Sequence, residues 1–299
     1  MTHPDFGPAE LQNARTLVAL ALAEDLGEAG DVTASATIPA DLVGSARFVA
    51  RTSGVVAGLP VVALVLEAFG RDLRFEPVRG DGDRVEQGDI LARVEGSMRS
   101  LLSAERTALN FLQRLGGVAG LTARFVEEVE GTRAVILDTR KTTPGWRILE
   151  KYAVRCGGGT NHRIGLFDAI LIKDNHLASL QSGGDPIGRA LEAARSSKIS
   201  GLKFVEVEVD DLDQFDRALE CSPDIILVDN LGPGALAEDV FRRDARAPGI
   251  LLEASGGVTL ATVRALARSG VDRISVGALT HSAPALDVGL DYEIPVPPR

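Results

Sequence analysis

The chain has 299 residues, 45% hydrophobic and 25% charged, with a formal net charge of −10 at pH 7. That acidic balance argues against general nucleic-acid binding, which needs a positive field. The longest uncharged stretch, Ser53–Leu66, contains Pro60 and is too short to cross a bilayer, and the polar start Met1–Glu10 does not read as a secretory signal.

Cys156 and Cys221 lie outside any CxxC or Cys/His cluster, so neither a disulfide framework nor a structural zinc site is expected, and a cytoplasmic location is.

Apolar residues at helical spacing (Leu11, Ala14, Leu17, Val18, Ala21, Leu22) predict a helix from about Glu10 to Asp25, ending at Gly27. Strand-like pieces follow at Ser45–Arg51 and Gly54–Ala57, then a helix opened by proline, Pro60–Phe69. Val78–Val94 reads as short strands joined by Gly-Asp turns. It is similar to the hairpin of lipoyl and biotinyl carriers but lacks their tip lysine, so a structural hairpin is expected.

Helices are predicted at Ser100–Leu115 and Val118–Val129, separated by Gly116-Gly117. Beyond them, apolar runs at Ala134–Leu137, Ala169–Ile172, Phe204–Val209, Ile225–Val228, Ile250–Leu252 and Arg273–Val276 alternate with helical stretches near Trp146–Val154, Pro186–Arg195, Leu212–Leu219, Ala235–Phe241 and Thr259–Arg268. Such alternation predicts a parallel sheet with right-handed crossovers. The strands are too few for a closed barrel, so an open α/β barrel is expected, with a doubly wound open sheet as the alternative.

Ligands bind beyond the carboxyl ends of such strands. The successive runs end in Asp138-Thr139-Arg140-Lys141, Lys173-Asp174-Asn175-His176, Glu206 and Glu208 of VEVEV, Asp229-Asn230, Glu253 with Ser255-Gly256-Gly257, and Gly277-Ala278. Any one polar loop is ordinary, but charge attached directly to successive buried strands is costly unless a ligand shares it. Ser255-Gly256-Gly257 opens a helix and suits a phosphate. Glu208 and Asp229 suit a Mg²⁺ that keeps waters and takes ligand oxygens; pairing with Lys173 or Arg140 is the plainer alternative. Glu206 is read as a structural partner of Lys203 or Arg140. Arg140, His162, Arg163 and Lys173 suit carboxylates, while Trp146 and Tyr152 are read as helix packing.

DTRKTTPGWR (Asp138–Arg147), GGGTNHRIGLFDAILIKDNH (Gly157–His176), VEVEV with LVDN, EASGG (Glu253–Gly257) and VGALTHS (Val276–Ser282), with GDVT (Gly30–Thr33) and SAERTALNFLQRLGG (Ser103–Gly117), resemble the quinolinate phosphoribosyltransferase family over nearly the whole chain. The resemblance implies an N-terminal α/β sandwich domain (residues 1–115, joined by 283–299) and an open, incomplete α/β barrel of the type II phosphoribosyltransferase kind (116–282). It implies transfer of a phosphoribosyl group to quinolinate with loss of CO₂. It also implies a homodimer in which Arg106 reaches the partner's barrel, with a hexamer, a trimer of dimers, as the alternative.

By the same resemblance, Arg140, His162, Arg163 and Lys173 hold the quinolinate carboxylates, and Lys141, Glu208 and Asp229 serve the phosphoribosyl pyrophosphate and Mg²⁺. Ser255, Gly256, Gly277 and His281 surround its phosphates, with Thr139, Gly257, Val276 and Ala278 among the substrate-binding positions. A related phosphoribosyltransferase associated with molybdate transport, and a barrel aldolase using Lys173 as a Schiff base, are the rival readings.

Overall fold

A computed structural model describes residues 3–70, 72–180, 182 and 184–293. Expectations that touch 181, 183 and 294–299, within the Gln181–Asp185 loop and the returning C-terminal segment, lie outside the described residues.

The elements run α1 (Pro8–Leu26), α2 (Val32–Thr37), β1 (Val43–Ala50), β2 (Gly54–Val55), α3 (Leu59–Ala68), β3 (Arg74–Pro77), β4 (Arg84–Val85), β5 (Ile90–Ser97) and α4 (Met98–Glu128). Then come β6 (Val135–Leu137), α5 (Arg147–Cys156), β7 (Ile170–Ile172), α6 (Asp174–Ala178), α7 (Pro186–Ser196), β8 (Val205–Val209) and α8 (Leu212–Cys221). The last are β9 (Ile225–Asp229), α9 (Pro233–Arg246), β10 (Leu251–Ser255), α10 (Leu260–Arg268), β11 (Arg273–Ser275), α11 (Ala278–His281) and β12 (Val288–Glu293).

The chain forms two compact units, residues 1–123 with 142–158 and 280–299, and residues 124–141 with 159–279. Residues 142–158 cluster with the first unit. There the Tyr152 hydroxyl donates to Asp81 at 2.8 Å and Glu150 accepts from Arg114 at 2.5 Å.

The first unit is built on a four-stranded antiparallel sheet ordered β12-β1-β5-β3. Phe48, fully buried on β1, meets the edge of Phe75 at 6.3 Å. The two helices expected around Gly116-Gly117 are one continuous helix, α4. The glycines serve close approach rather than a break. A Cβ on Gly117 would overlap the Pro284 carbonyl, one on Gly116 would press on Leu286, and the Leu286 N–H donates to the Gln113 carbonyl at 2.9 Å. Trp146 stacks on Phe111 at 4.8 Å, a packing role.

The second unit is a six-stranded parallel sheet ordered β6-β11-β10-β9-β8-β7, every predicted strand being present. Its first strand pairs with its last, and the other four follow in descending sequence order to β7. That is the cyclic order of a barrel left open between its first and second strands, and a doubly wound sheet would reverse direction midway. Val207, Ile226, Leu252 and Ile274 are essentially inaccessible in its core.

Candidate active site

Strand alternation decides which side chains meet. In register, Glu208 lies beside Leu227, Leu227 beside Glu253, and Glu253 beside Arg273, forming one row across four strands. One step further toward the carboxyl ends, Asp229 lies beside Ser255. Side chains from this face open into a cavity of about 340 Å³ lined by Thr139, Arg140, Lys141, His162, Arg163, Leu171, Lys173, Glu208, Leu227, Asp229, Glu253, Ser255 and Ser275. Of the expected positions, Gly256, Gly257, Val276, Gly277 and Ala278 are not in this wall. Arg106 and His281 belong to the first unit, both exposed, with His281 Nδ1 2.6 Å from the Ser282 hydroxyl. Leu171, Leu227, Glu253 and Ser275 were not expected in the site. Alternation along the strands places Glu253 and Ser275 on the face of Glu208 and Asp229, and it was the available signal.

Positive charge gathers on one side. Arg163 is buried, and burial first, then the nearby Arg140, lowers the pKa of its guanidinium. Two cations held close in a partly dry pocket suit an anionic ligand. The loop beyond Arg163 is fixed by Asp168, which accepts the N–H groups of Ile164 and Gly165 at 2.9 Å each and pairs with Lys203 at 2.9 Å. Burial opposes ionisation there, but those contacts outweigh it and bring the Asp168 pKa to about 2. Lys203 is therefore engaged by Asp168.

Glu206 is therefore not the partner of Lys203. It is fully buried, with Oε2 3.0 Å from His162 Nε2. The same nitrogen lies 3.4 Å from Glu253 Oε1, and Arg273 donates to Glu253 Oε2 at 2.7 Å. Burial, then the adjacent Glu253, raises the Glu206 pKa. For Glu253, burial acts upward but His162 and Arg273 prevail and lower it. Burial opposes charge on His162, while its contacts with Glu206 and Glu253 favour a proton on the ring. The Arg163 N–H donates to Nδ1 at 2.8 Å, and a proton there would set two N–H groups against each other. The geometry therefore favours a ring with its proton on Nε2.

Two carboxylate groups deserve testing as cation sites. His162, Glu206 and Glu253 could each offer a ligand atom within a 4.8 Å cluster, but Arg273 already supplies the positive charge against Glu253. Glu208 and Asp229 are better placed, at neighbouring strand ends and in the cavity wall. Glu208 accepts from Lys173 Nζ at 2.5 Å and Asp229 from the Asn230 amide at 2.6 Å. A pair of hard oxygen donors facing a cavity fits Mg²⁺ that retains water and takes ligand oxygens.

At the neighbouring strand end, Gly256 and Gly257 adopt φ of +89° and +55°, and a Cβ on Gly256 would overlap the Asn230 side chain. Thr259 caps the helix that follows. Glycine is required there by conformation and by space.

Comparison with known proteins places these features in context. Residues 31–116 match the model for the quinolinate phosphoribosyl transferase N-terminal domain, and residues 118–291 match that for the C-terminal domain. A nicotinate-nucleotide pyrophosphorylase [carboxylating] of Mycobacterium leprae is 46% identical over 289 residues, covering 94% of this chain and 98% of that protein. A probable nicotinate-nucleotide pyrophosphorylase [carboxylating] of Bacillus subtilis is 39% identical, covering 91% and 90%. The solved nicotinate-nucleotide pyrophosphorylase of Francisella tularensis superposes with a TM-score of 0.86 at 36% identity, covering 94% of this chain and 96% of that one.

Proposed function

The chain belongs to the quinolinate phosphoribosyl transferase family, and from that premise we propose that it converts quinolinate and 5-phosphoribosyl 1-pyrophosphate to nicotinate mononucleotide, pyrophosphate and CO₂. This is the carboxylating nicotinate-nucleotide pyrophosphorylase reaction of de novo NAD synthesis. The observation that carries the reading at the level of residues is the crowding of Arg140 and Arg163 in one cavity with Lys141 and Lys173, a charge pattern matched to a dicarboxylate and a pyrophosphate.

In the proposed reaction, the bond from the ribose anomeric carbon to pyrophosphate breaks, and the leaving group departs with the electron pair. Lys141, exposed at the rim, and Arg106 from a partner subunit neutralise it. Glu208 and Asp229 would hold a Mg²⁺, which when bound supplies charge neutralisation to the pyrophosphate oxygens. Arg140 and Arg163 grip the carboxylates and aim the pyridine nitrogen at the anomeric carbon, which is catalysis by positioning. The nitrogen lone pair forms the new bond and the ring becomes cationic. The carboxylate beside that nitrogen leaves as CO₂, its electron pair stays on the ring carbon, and that carbon takes a proton from water.

Ser255, with the Gly256-Gly257 turn and Gly277, is assigned to the ribose 5-phosphate, Thr139, Val276, Ala278 and His281 completing the substrate surroundings. His162 and Lys173, also in the cavity wall, complete the hold on the carboxylates.

Lys173 is ion-paired to Glu208, unlike the unpaired, desolvated amine of a Schiff-base enzyme, which disfavours the aldolase reading. A homodimer is the proposed assembly, with a trimer of such dimers as the alternative. Among the described residues no helix is long and apolar enough to cross a membrane. The free thiols Cys156 and Cys221 suit a cytoplasmic location.

The test is to incubate the protein with carboxyl-labelled quinolinate, phosphoribosyl pyrophosphate and Mg²⁺. Labelled CO₂ and nicotinate mononucleotide should appear in equal amounts. Turnover of nicotinate instead, or none of quinolinate, would sink the proposal.

A further inference from the structure

One acid behind the cavity has no part in the reaction just described. Glu206 stands two residues before Glu208 on β8, is fully buried, and lies behind the cavity wall rather than in it. Its Oε2 lies 3.0 Å from His162 Nε2, and neither of its oxygens makes a well-aligned hydrogen bond. A leucine would fill similar volume without the cost of burying a carboxylate.

The far side of the imidazole offers a use for that acid. Nδ1 accepts the backbone N–H of Arg163 at 2.8 Å, and Phe204 meets the ring edge-on at 5.2 Å, limiting its rotation. The preceding peptide is held as well, since the His162 N–H donates to Asp138 at 2.9 Å. By contrast, the guanidinium of Arg163 makes a long 3.4 Å contact with the Ala169 carbonyl. The direction in which Arg163 leaves the chain is therefore governed by its peptide, and that peptide is braced through the imidazole against β8.

We infer that Glu206 is a positioning residue: acting through His162, it fixes the Arg163 peptide and so aims the guanidinium at the substrate's carboxylates. The inference rests on the reading of the cavity as the dicarboxylate site. It predicts an effect confined to one of the two substrates, because the path from Glu206 through His162 ends at Arg163, which is assigned to the carboxylates.

The test uses initial rates of the full chain with each substrate varied in turn. Glu206→Leu should raise KM for quinolinate about tenfold, the size of one lost charge-assisted hydrogen bond, while KM for phosphoribosyl pyrophosphate stays within about twofold. Glu206→Gln, which keeps an acceptor, should recover most of the loss. His162→Asn keeps an atom near Nδ1 but loses the Nε2 arm, so it should show the same split. The double variant His162→Asn/Glu206→Leu should be no worse than either alone.

Multiplying effects, an unchanged quinolinate KM, or a parallel rise in both KM values with a lowered melting temperature would each overturn the inference. If Glu206→Leu does not fold, His162→Gln against His162→Asn carries the test. Gln restores an atom near Nε2 and should recover affinity, and equal KM values in the two would overturn the inference. A wild-type protein inactive on quinolinate would instead strike the proposed reaction, before any variant is compared.

Discussion

Both units bury carboxylates with every oxygen engaged, as Asp168 is in the second, but among the described residues the second also buries some that are left incomplete. In the first unit Asp81 accepts the N–H of Gly58 at 2.7 Å and the Tyr152 hydroxyl at 2.8 Å on one oxygen, and the Leu59 N–H at 3.1 Å on the other. Glu150 accepts from Arg114 at 2.5 Å and the Thr143 hydroxyl at 2.9 Å on one oxygen, and from the Thr143 N–H at 3.0 Å on the other. In the second unit both oxygens of Glu206, although Oε2 lies 3.0 Å from His162 Nε2, one of Glu253 and both of Asp239 lack a well-aligned hydrogen bond. Buried acids with every oxygen engaged hold backbone segments together, and those with vacant oxygens carry a cost the fold itself does not explain. The contrast separates structural charge from charge kept for another purpose, and each experiment below tests which side of that line a residue is on.

Glu150 should show the largest effect. Glu150→Leu removes the acceptor shared by Arg114 and Thr143 and should destabilise the protein by about 3 kcal/mol, read by urea denaturation at neutral pH. A loss below about 1 kcal/mol, the range of an exposed pair, would erase the distinction between the two units. Lys141 comes next and belongs to the opposite class, exposed and outside the packed interior. Lys141→Ala should lower turnover about a hundredfold with an unchanged denaturation midpoint. Near-normal turnover would remove Lys141 from the leaving-group side of the reaction.

The parts of this arrangement legible in the sequence are those written in local periodicity. Each strand of the second unit announces itself as a short apolar run, and alternation puts Glu208, Asp229 and Ser255 on one face with Lys173 at the adjoining strand end, without further knowledge. What escaped depends on contacts between distant segments. His162 and Glu206 are 44 positions apart (206 − 162) and meet only because β8 passes the loop between α5 and β7, so nothing in VEVEV identifies the imidazole as the partner. The pairing of Lys203 with Asp168 is invisible for the same reason. Gly116-Gly117 misled in another way, since glycine reads locally as a helix stop, whereas here the returning segment at Pro284–Leu286 needs the space.

Asp239 sharpens the comparison with the smallest effect, because its vacant oxygens lie far from any proposed chemistry. It is buried on the inner face of α9 between Leu236 and Val240. The arginine one turn later, Arg243, is committed to Asp272 at 2.6 Å and to the Ile250 carbonyl at 2.7 Å. Burial raises the Asp239 pKa from 3.8 to about 6; Arg242 opposes the rise, while Glu238 and Asp216 add to it. An acid whose pKa is raised by folding favours the folded state most when protonated. That contribution is present in full below about pH 4 and is lost as pH climbs through about 6. Asp239→Asn should therefore be more stable than the wild type by about 2 kcal/mol at pH 7.5, with the advantage disappearing by pH 4 because the carboxylic acid and the amide are then both neutral. Urea denaturation of the two proteins across that range reads the difference directly. A gap that stays constant with pH would mean that Asp239 is ionised at no cost, which would require a partner for its oxygens and would move it to the side of Asp81 and Glu150.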